Sequence, residues 1–385
     1  MRVLSLSTLF PAPDNPGFGR FVARQFDALA KTGAIDLTVI NPIANARGGS
    51  FDARRSYPVH HLPFRTIPHF GARWNPWLIA RAVLPLARRL HSEKPFDLID
   101  AQFFYPDGPA AARVARALNL PLSIKARGSD IHYWGDRWFA RRQMLAAAEQ
   151  AGALLAVSAA LKADMIALGM AGDKIAVHYT GLDNELYRVE VHGSEARTDF
   201  GFSHGKPLLA AVGNLIPLKG HDLTVAALAT LPGMQLGIAG SGPELANLEA
   251  CVARLGLTDR VKLLGNLAPE EVLRLLQAAD AMVLPSEREG LANVWIEALA
   301  CGTPLVITDV GGAREVVTAP SAGRLVERTP AAIAAAVREL LAKPIPRAEV
   351  AAHAAGFSWE ANAARLAEHY RRLAGFIEPS RASFS

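Results

Sequence analysis

Two carboxylates, Glu289 and Glu297, stand eight residues apart in the segment of this chain whose residue types best suit chemistry. They follow an apolar strand pattern at 281–284, and a helix is predicted to begin near Ala292 and to end before Gly302. Glu289 is therefore expected in the loop that precedes the helix, and Glu297 on the helix itself.

The start of that helix offers two kinds of binding group. Its unpaired backbone N–H groups suit a diphosphate, and carboxylates accept hydrogen bonds from sugar hydroxyls. One loop with both groups predicts a site for a nucleotide-sugar. Two acids here also have a plainer explanation, in which Glu289 stabilises the helix dipole and Glu297 is solvated. The segment alone leaves both explanations open.

Two other loops in the same half follow predicted strands. Lys219-Gly220 comes shortly after the strand 207–212, and Lys219 is placed to neutralise a phosphate. Gly240-Ser241-Gly242-Pro243 ends the strand 235–239 with a glycine turn. Both loops would lie at the carboxyl ends of strands, where open α/β sheets bind ligands.

A weaker signal lies near the amino end of the chain. Gly17-Phe18-Gly19 follows the first predicted strand and precedes a helix, as in dinucleotide-binding folds. The third glycine of that fingerprint is replaced by Val22, however, and the second strand ends at Asn41 in place of a ribose-binding acid. The glycines either let the backbone bend into the helix or approach a bound phosphate or sugar.

Several common catalytic motifs are absent from the sequence, among them GxxxxGK[ST], HExxH and CxxC. There is no Asp-x-Asp, and the eleven histidines show no metal-ligand spacing beyond the adjacent pair His60-His61. A dedicated metal site is therefore not expected. The two cysteines, Cys251 and Cys301, exclude a disulfide framework and fit a reducing compartment.

The elements that hold these residues alternate between short apolar strands and helices, which is typical of βαβ units and parallel sheets. In the first half, strands are predicted at 3–7, 37–40, 98–101 and 122–125. The pattern restarts with strands at 207–212, 235–239, 261–264, 281–284 and 304–307. We predict two doubly wound, Rossmann-like α/β domains that face each other across a cleft.

The domain boundaries follow from length and composition. The 385 residues fit two to three domains, and the polar stretch Asp183–His204 lacks a clear periodicity and is predicted as a linker. The N-terminal domain is expected over 1–185 and the second over 200–357. A helix within 358–385 is expected to pack back on the first domain.

Charge is unevenly distributed along the chain. Residues 1–190 carry a formal charge of +7 and residues 191–385 carry −2, which indicates an anionic partner for the first half, such as a membrane surface, unless its arginines are simply scattered. The segment Ile79–Leu90 is either a basic amphipathic surface helix preceded by Trp74 and Trp77, or a core-packing helix with a solvated arginine edge.

The long uncharged stretch Leu223–Pro243 has 21 residues, enough to cross a bilayer. Because Pro232-Gly233 interrupts it, we interpret it as a helix, a turn and a strand. No membrane span and no secretory signal is predicted. The protein is thus expected to be cytoplasmic, or peripheral on the inner face of the cell membrane.

The pair of glutamates in an E-x7-E spacing, the Lys-Gly loop and the GlySerGlyPro turn, in this order, resemble the retaining glycosyltransferases of family 4, which have the GT-B fold. The resemblance is strong over Ala210–Val317 and diffuse over the first half. It implies a nucleoside diphosphate sugar as donor substrate, with no cofactor. It also implies no metal, because a lysine and the helix dipole take its place.

The resemblance assigns roles to individual residues. It implies that Glu297 binds the donor ribose, that Glu289 faces the donor sugar and that Lys219 binds the diphosphate. Other donor contacts that it implies are a glycine loop of the N-terminal domain, the amides near the sugar and phosphate, and a loop near the base, namely Gly17 and Gly19, then Gly290, Leu291 and Ala292, then Gly265, Asn266 and Leu267.

The sequence departs from the family at two positions. The family usually has arginine where this chain has Asn214, so diphosphate binding loses a charge. Many members have histidine, in a His-Gly-x-Asp setting, where this chain has Arg127. Arg127 is expected to join Lys219 and Glu289 as a catalytic residue that stabilises the leaving phosphate. The alternative is a loop arginine paired with Asp130.

The expected activity is transfer of a sugar to a glycan or lipid-linked acceptor in cell-surface polysaccharide or glycolipid synthesis, with no nucleic acid partner. An alternative enzyme is a nucleotide-sugar epimerase of the same fold, which would want histidine as an acid or base in the cleft. A non-enzymatic alternative is a two-domain sugar-binding protein.

Overall fold

The computed structural model describes residues 1–46, 48–52, 54–66, 71–189 and 193–376. The chain divides into two compact units. Unit 1 comprises Met1–Gly181 together with the residues from Trp359 onward, and unit 2 comprises Leu182–Ser358.

Unit 1 is built on an eight-stranded sheet in the order β3-β4-β2-β1-β5-β6-β7-β8. All neighbours are parallel except β3, which pairs antiparallel with β4. The strands are β1 Arg2–Leu6, β2 Asp36–Ala44, β3 Ser50–Asp52, β4 Val59–Phe64, β5 Leu98–Ala101, β6 Leu122–Ala126, β7 Ala153–Ala156 and β8 Ile175–Val177.

The α-helices of unit 1 lie in the connections between these strands, because parallel neighbours can be joined only by a crossover, which is usually helical. They are α1 Arg20–Lys31, α2 Asn75–Glu93, α3 Asp107–Leu118, α4 Ser129–His132, α5 Trp138–Gln150 and α6 Ala159–Ala167, with Trp359–Leu373 as the helix that returns from beyond unit 2. This returning helix packs on α1, and its buried residues Ala363, Leu366 and Tyr370 belong to the same apolar core as Phe26 and Leu29 of α1.

Unit 2 has a six-stranded parallel sheet in the order β11-β10-β9-β12-β13-β14. Its strands are β9 Leu208–Val212, β10 Gln235–Ala239, β11 Val261–Gly265, β12 Ala281–Leu284, β13 Leu305–Thr308 and β14 Gly323–Val326. Its α-helices are α7 Gly193–Asp199, α8 His221–Ala229, α9 Leu245–Arg254, α10 Pro269–Ala278, α11 Asn293–Ala300, α12 Ala313–Val316, α13 Pro330–Ala342 and α14 Arg347–Ala352. The returning helix of unit 1 is α15.

The strand order reverses once in each sheet, between β1 and β5 in unit 1 and between β9 and β12 in unit 2. At such a switch point the loops at the carboxyl ends of the two strands turn to opposite sides and leave a crevice for a ligand. The two sheets confirm the predicted class of Rossmann-like α/β architecture. They also show where in each unit a binding site is expected.

Several elements differ from the sequence predictions. Five strands were not predicted: β3, β4, β7, β8 and β14. They are short, and β4 contains two histidines and a proline, so that their apolar pattern is weak and their pairing depends on the neighbouring strands. The stretch predicted as a linker contains α7, where Arg197 forms an ion pair with Asp280 at 2.8 Å.

The helix α2 resolves the two interpretations of Ile79–Leu90. Ile79, Val83 and Ala87 are fully buried, so the apolar side of the helix packs inside unit 1 and is not a free amphipathic face. The arginines at its outer edge are exposed. Within the described ranges, no helix is both long and apolar enough to cross a membrane, and residues 223–243 form α8, a turn and β10 as predicted.

Candidate functional site

The switch point of unit 2 brings together the loops that the sequence singled out. The loop after β9 runs through Asn214 to Lys219, and the loop after β12 runs from Pro285 to Ala292. The two loops are joined where the N–H of Glu287 donates to the carbonyl oxygen of Leu218 at 2.7 Å. Lys219 and Glu289 are thereby brought next to each other at the switch point.

Lys219 and Glu289 form an ion pair at this crevice. The Nζ of Lys219 donates to the Oε1 of Glu289, and the two side chains are only 20% and 12% exposed. The hydroxyl of Ser286, a fully buried residue, donates to the same Oε1 at 2.8 Å. Thr308 in turn donates to the carbonyl oxygen of Ser286. Glu289 is therefore held at one oxygen, while its Oε2 accepts no hydrogen bond from the described residues.

The backbone beside Glu289 supplies the N–H groups predicted for this loop. The helix α11 begins at Asn293, after Ala292. Within the described part of the chain, the N–H groups of Leu291 and Ala292 donate no hydrogen bond, although the two residues are only 7% and 9% exposed. Unpaired N–H groups at the start of a helix are donors of the kind that anionic groups accept.

Glycines allow the strand ends of unit 2 to pack this closely. A side chain at Gly240 would place its Cβ 1.9 Å from the carbonyl oxygen of Gly213, and one at Gly311 would place it 2.1 Å from that of Glu289. Gly312 then donates its N–H to the carbonyl oxygen of Gly290 at 2.8 Å. The glycine turn after β10 therefore serves backbone packing, and Gly311 fixes the loop that carries Glu289.

The remaining predicted donor residues of unit 2 lie on the same edge of the sheet. Asn214 follows β9 and is exposed, as are Gly265 and Asn266 at the end of β11, whereas Leu267 is partly buried. Gly265 accepts a hydrogen bond from the N–H of Gly240 at 2.7 Å. Glu297 lies on α11 and is partly buried.

Sequence reasoning missed His221, the first residue of α8. Its side chain is buried, and its Nε2–H donates to the carbonyl oxygen of Gly213 at 3.3 Å. Burial lowers the pKa of His221, although hydrogen bonds to the backbone of Gly213 and Asn214 act against this. The neutral imidazole thus braces the loop that carries Lys219. A histidine directly after Lys-Gly was the only sequence signal.

In unit 1, the two glycines after β1 have different surroundings. Gly19 has φ 66° and precedes α1, and a Cβ there would lie 2.5 Å from the backbone of Leu9. Gly17 is exposed and has open space around it. Gly19 is therefore needed for the close approach of α1 to the preceding loop, whereas Gly17 leaves its backbone accessible to a ligand.

Arg127, at the end of β6, is fixed by glutamines. Its Nε donates to the carbonyl oxygen of Gln102 at 2.8 Å, and its Nη2 donates to the side-chain oxygen of Gln102 at 2.5 Å and to that of Gln25 at 3.4 Å. The guanidinium also lies 4.8 Å from the ring centre of Phe21. Burial lowers the pKa of Arg127 to about 10, so it remains charged at neutral pH.

The alternative explanation, in which the side chain of Arg127 pairs with that of Asp130, is wrong. The carboxylate of Asp130 accepts hydrogen bonds from the backbone N–H groups of Phe104, Arg127, Gly128 and Ile131 at 2.7–3.1 Å. Asp130 therefore shapes the loop after β6 through its backbone. The arginine side chain is left to point toward the glutamines.

A buried polar cluster that the sequence did not reveal lies beneath Arg127. Lys125 is fully buried and donates from Nζ to the Nδ1 of His178 at 2.6 Å and to the side-chain oxygen of Gln25 at 3.1 Å. Because Nδ1 accepts, the Nε2–H of His178 donates to the carbonyl oxygen of Asn362 on α15 at 3.0 Å. Burial lowers the pKa values of both Lys125 and His178.

No group of three or more metal-binding side chains occurs among the residues whose placement is described. Metal independence remains a prediction. The two cysteines, Cys251 and Cys301, are both free.

Two Rossmann-like sheets with ligand-binding loops at their switch points define the GT-B class of fold. The model of the family Glycosyltransferase Family 4 matches residues 17–186, and that of the family Glycosyl transferases group 1 matches residues 194–356. Sucrose-phosphate synthase from Thermosynechococcus elongatus superposes with a TM-score of 0.80 at 22% identity, covering 98% of this chain and 100% of that one. Anabaena HepE in complex with UDP gives 0.76 at 23% identity, covering 96% and 99%.

Relatives at higher identity extend the comparison. A D-inositol 3-phosphate glycosyltransferase of Segniliparus rotundus is 36% identical over 225 residues, which are 54% of this chain and 50% of that protein. The chain thus spans about half the length of this relative. The putative teichuronic acid biosynthesis glycosyltransferase TuaC of Bacillus subtilis is 30% identical over 336 residues, which are 81% of this chain and 82% of that protein. The chain belongs to glycosyltransferase family 4, which confirms the predicted family.

Proposed function

We propose that this protein is a retaining, metal-independent glycosyltransferase that moves a sugar from a nucleoside diphosphate sugar to an acceptor hydroxyl. The observation that carries the proposal is the partly exposed pair of Lys219 and Glu289 at the switch point of unit 2. A cation and a carboxylate side by side suit the two halves of such a donor, its diphosphate and its sugar.

The donor would be held along the carboxyl edge of the sheet of unit 2. The unpaired N–H groups of Leu291 and Ala292 would bind phosphate oxygens beside Lys219. Glu297, further along α11, would accept hydrogen bonds from the ribose. The exposed loop Gly265-Asn266-Leu267 would lie near the base, and the backbone of Gly290 near the sugar.

The ion pair gives binding a definite sequence of contacts. Without ligand, Glu289 neutralises Lys219. A diphosphate carries more charge than a carboxylate and attracts Lys219 more strongly, which frees Oε1 of Glu289 for a sugar hydroxyl. Ser286 keeps the carboxylate in place during this exchange, because its hydrogen bond to Oε1 does not involve Lys219.

The chemical step would follow the front-face course expected for the family. The departing phosphate takes the proton of the acceptor hydroxyl, while Lys219, Arg127 and the helix N–H groups stabilise the developing negative charge. Gly17 and Gly19 would approach the phosphate side. Asn214 cannot supply a charge there, so Arg127 would compensate for the arginine that the family usually has at the position of Asn214.

The acceptor is proposed to be a glycan or a lipid-linked saccharide at the cytoplasmic face of a membrane, in polysaccharide or glycolipid synthesis. The positive charge of residues 1–190 supports an acceptor at an anionic membrane surface. Two of the relatives carry the names D-inositol 3-phosphate glycosyltransferase and putative teichuronic acid biosynthesis glycosyltransferase, which fit acceptors of this kind.

The proposal is tested with a panel of UDP-, GDP- and ADP-sugars. One class should raise the melting temperature, because binding to the folded state stabilises it by mass action, and the same class should be turned over with an acceptor. Glu289→Gln should remove most of the turnover of that donor. A shift that EDTA abolishes and Mg²⁺ or Mn²⁺ restores would contradict the metal-free part, and the lack of a shift with every donor would contradict the whole.

A further inference from the structure

Unit 1 carries an unusual set of exposed aromatic side chains. The chain has six tryptophans, and the three with exposed side chains are Trp74, Trp77 and Trp138, at 49%, 44% and 74%. Tyr133 is 54% exposed, whereas Trp295 in unit 2 is fully buried. Large aromatic groups grouped in water mark an interaction surface.

These side chains belong to one continuous surface. The segment before α2 and the start of α5 are joined, because the side-chain amide of Gln143 donates to the carbonyl oxygen of Arg73 at 3.0 Å. Tyr105 bridges the same region, with its hydroxyl 2.7 Å from the carbonyl oxygen of Ala72 and its ring 4.8 Å from that of Trp134. We call this surface the aromatic–arginine face and define it by Arg73, Trp74, Trp77, Arg81, Arg88, Tyr133, Arg137 and Trp138.

Arginines on the face lie over its aromatic rings. The guanidinium carbon of Arg73 is 5.2 Å from the ring centre of Trp74, and that of Arg81 is 5.5 Å from that of Trp77. Arg137 lies 3.6 Å from the ring centre of Tyr133. Such cation–π pairs place a positive charge and an aromatic ring side by side on the surface.

The charge of the face is not balanced locally. Residues 53–92 contain seven arginines and no acidic residue. Arg81 and Arg88 have no acidic partner among the described residues, although Arg89 lies 3.9 Å from Glu93. On α2, Trp77, Arg81 and Arg88 follow at intervals of four and seven residues, so they share one side of the helix.

The face also lies at a functional edge of the sheet. The helix α2 follows β4, and α5 follows β6 through α4, so both helices start at the carboxyl ends of parallel strands. Gly19 and Arg127 occupy loops at the same edge. A surface bound to this face would therefore lie next to the residues proposed to meet the substrates in unit 1.

We propose that the aromatic–arginine face docks unit 1 on an anionic lipid bilayer. Arginines attract anionic head groups, and tryptophan and tyrosine rings prefer the interface between head groups and acyl chains. Docking uses only the outward side chains, because Ile79, Val83 and Ala87 on the opposite side of α2 are buried in unit 1. The inference rests on the proposed function for its purpose, which is to hold unit 1 beside a lipid-linked acceptor.

The test is binding of the full chain to vesicles of phosphatidylcholine mixed with the anionic lipid phosphatidylglycerol. The intact protein should sediment with these vesicles and not with pure phosphatidylcholine. Brominated acyl chains should quench its tryptophan fluorescence. Arg81→Gln with Arg88→Gln should weaken partitioning about 25-fold, at about fivefold per charge, whereas the matched control Lys31→Gln with Arg254→Gln removes the same charge elsewhere and should retain binding.

Aromatic insertion is tested by a second pair of variants. Trp77→Ala with Trp138→Ala should weaken binding and abolish most of the quenching, while Phe51→Ala, an exposed aromatic residue elsewhere in unit 1, should have no effect. Equal binding by the Trp77/Trp138 variant and the intact protein would overturn the proposal. So would displacement from the vesicles by an equivalent concentration of a soluble anionic polysaccharide, which would identify a glycan-binding surface.

Donor binding in the absence of vesicles separates this inference from the proposed function. All the face variants should bind the nucleotide-sugar normally, because none of the substituted residues is among those proposed to contact the donor. Vesicle binding without any donor binding would contradict the proposed function alone. Normal donor binding and turnover on a soluble acceptor, without vesicle binding, would contradict the docking face alone.

Discussion

The two switch points of this protein hold their charged residues in opposite ways. In unit 2, Lys219 is paired with the carboxylate of Glu289 in a partly exposed crevice. In unit 1, Arg127 is hydrogen-bonded to the neutral amides of Gln102 and Gln25, above a fully buried Lys125. The cation of unit 2 is neutralised by a neighbouring carboxylate, whereas the cation of unit 1 is held in one orientation by neutral groups.

This difference indicates different tasks. An ion-paired lysine can exchange its carboxylate partner for a phosphate, which suits a role in donor binding. An arginine held by both its Nε and its Nη2 has a preorganised orientation, which suits stabilisation of a charge that develops during reaction. The contrast therefore predicts that unit 1 residues act on the rate and that unit 2 residues act on both donor affinity and rate.

The largest effect should come from Arg127→Ala. Loss of one preorganised charge at the reacting group costs about 100-fold to 1,000-fold in kcat, with little change in donor Kd. Arg127→Lys should recover little, because lysine cannot make both bonds to Gln102. Adding Asn214→Arg to Arg127→Ala should restore part of the rate. Saturated rates and donor titrations decide it, and a normal kcat with a lowered melting temperature would show that Arg127 only braces Gln102.

The next effect should come from Glu289→Gln, which removes the charge that pairs with Lys219. We expect kcat at saturating donor to fall by about 100-fold, because a misplaced sugar lowers the rate even when it is bound. Ser286→Ala is the matched variant, since it leaves the carboxylate but removes its second hydrogen bond, and it should lower kcat less. Saturated rates that match the unaltered protein for both variants would reduce Glu289 to a stabiliser of the helix dipole.

A smaller effect, confined to affinity, is expected for Glu297→Gln. Its hydrogen bonds to the ribose exist in the ground state and in the transition state alike, so the change should raise donor Kd while kcat is retained. Loss of a hydrogen bond that involves a charged group costs about 1.5–3 kcal/mol, which is about tenfold to 150-fold in Kd. Calorimetric titration measures it. Unchanged affinity together with a lower kcat would exchange the roles of the two glutamates.

The smallest effect is expected in the pH dependence of the free energy of unfolding, through a buried histidine of unit 1. His369 on α15 bonds to the hydroxyl of Ser123 at 2.9 Å, and burial lowers its pKa from 6.5 to about 4. As the pH falls, the unfolded chain therefore takes up a proton on this histidine before the folded protein does. The contribution of His369 to the free energy of unfolding is complete above pH 6.5 and is lost as the pH falls toward 4, by at most about 1.4 kcal/mol per pH unit.

His369→Gln should remove that slope from the pH dependence of the free energy of unfolding, measured by denaturant titration between neutral pH and pH 4.5. Comparison with the unaltered protein isolates the histidine from Asp107, whose pKa burial raises to about 7 and whose contribution changes in the opposite direction with pH. Parallel curves for the two proteins would mean that His369 is not buried in the neutral form.

Part of this organisation follows from sequence alone. The strands that carry the site loops, β9, β10 and β12, are apolar runs ended by a glycine or a proline, so their positions and the loops after them are predictable. The spacing of Glu289 and Glu297 likewise placed one on a loop and one on a helix. These features depend on local pattern and turn chemistry.

The rest depends on tertiary contacts. Lys125 lies near the end of an apolar strand and would ordinarily reach solvent, yet it is buried, and its hydrogen-bond partners His178 and Gln25 come from distant parts of the chain. The pairing of Lys219 with Glu289 joins residues seventy positions apart. The sequence left two interpretations of α2 open, and only the burial of Ile79, Val83 and Ala87 in unit 1 decided between them. Periodicity identifies an amphipathic helix but not which side meets water.

The return of α15 to unit 1 has a consequence for synthesis of the protein. Domains generally fold as the ribosome releases them, but unit 1 is interrupted by the whole of unit 2. Its core lacks Leu366 and Tyr370, and Asn362 is not there to bind His178, until Trp359–Leu373 has been translated. Unit 2 is therefore translated in full before the last helix of unit 1, and a chain that ends within α15 contains all of unit 2 but an incomplete core of unit 1.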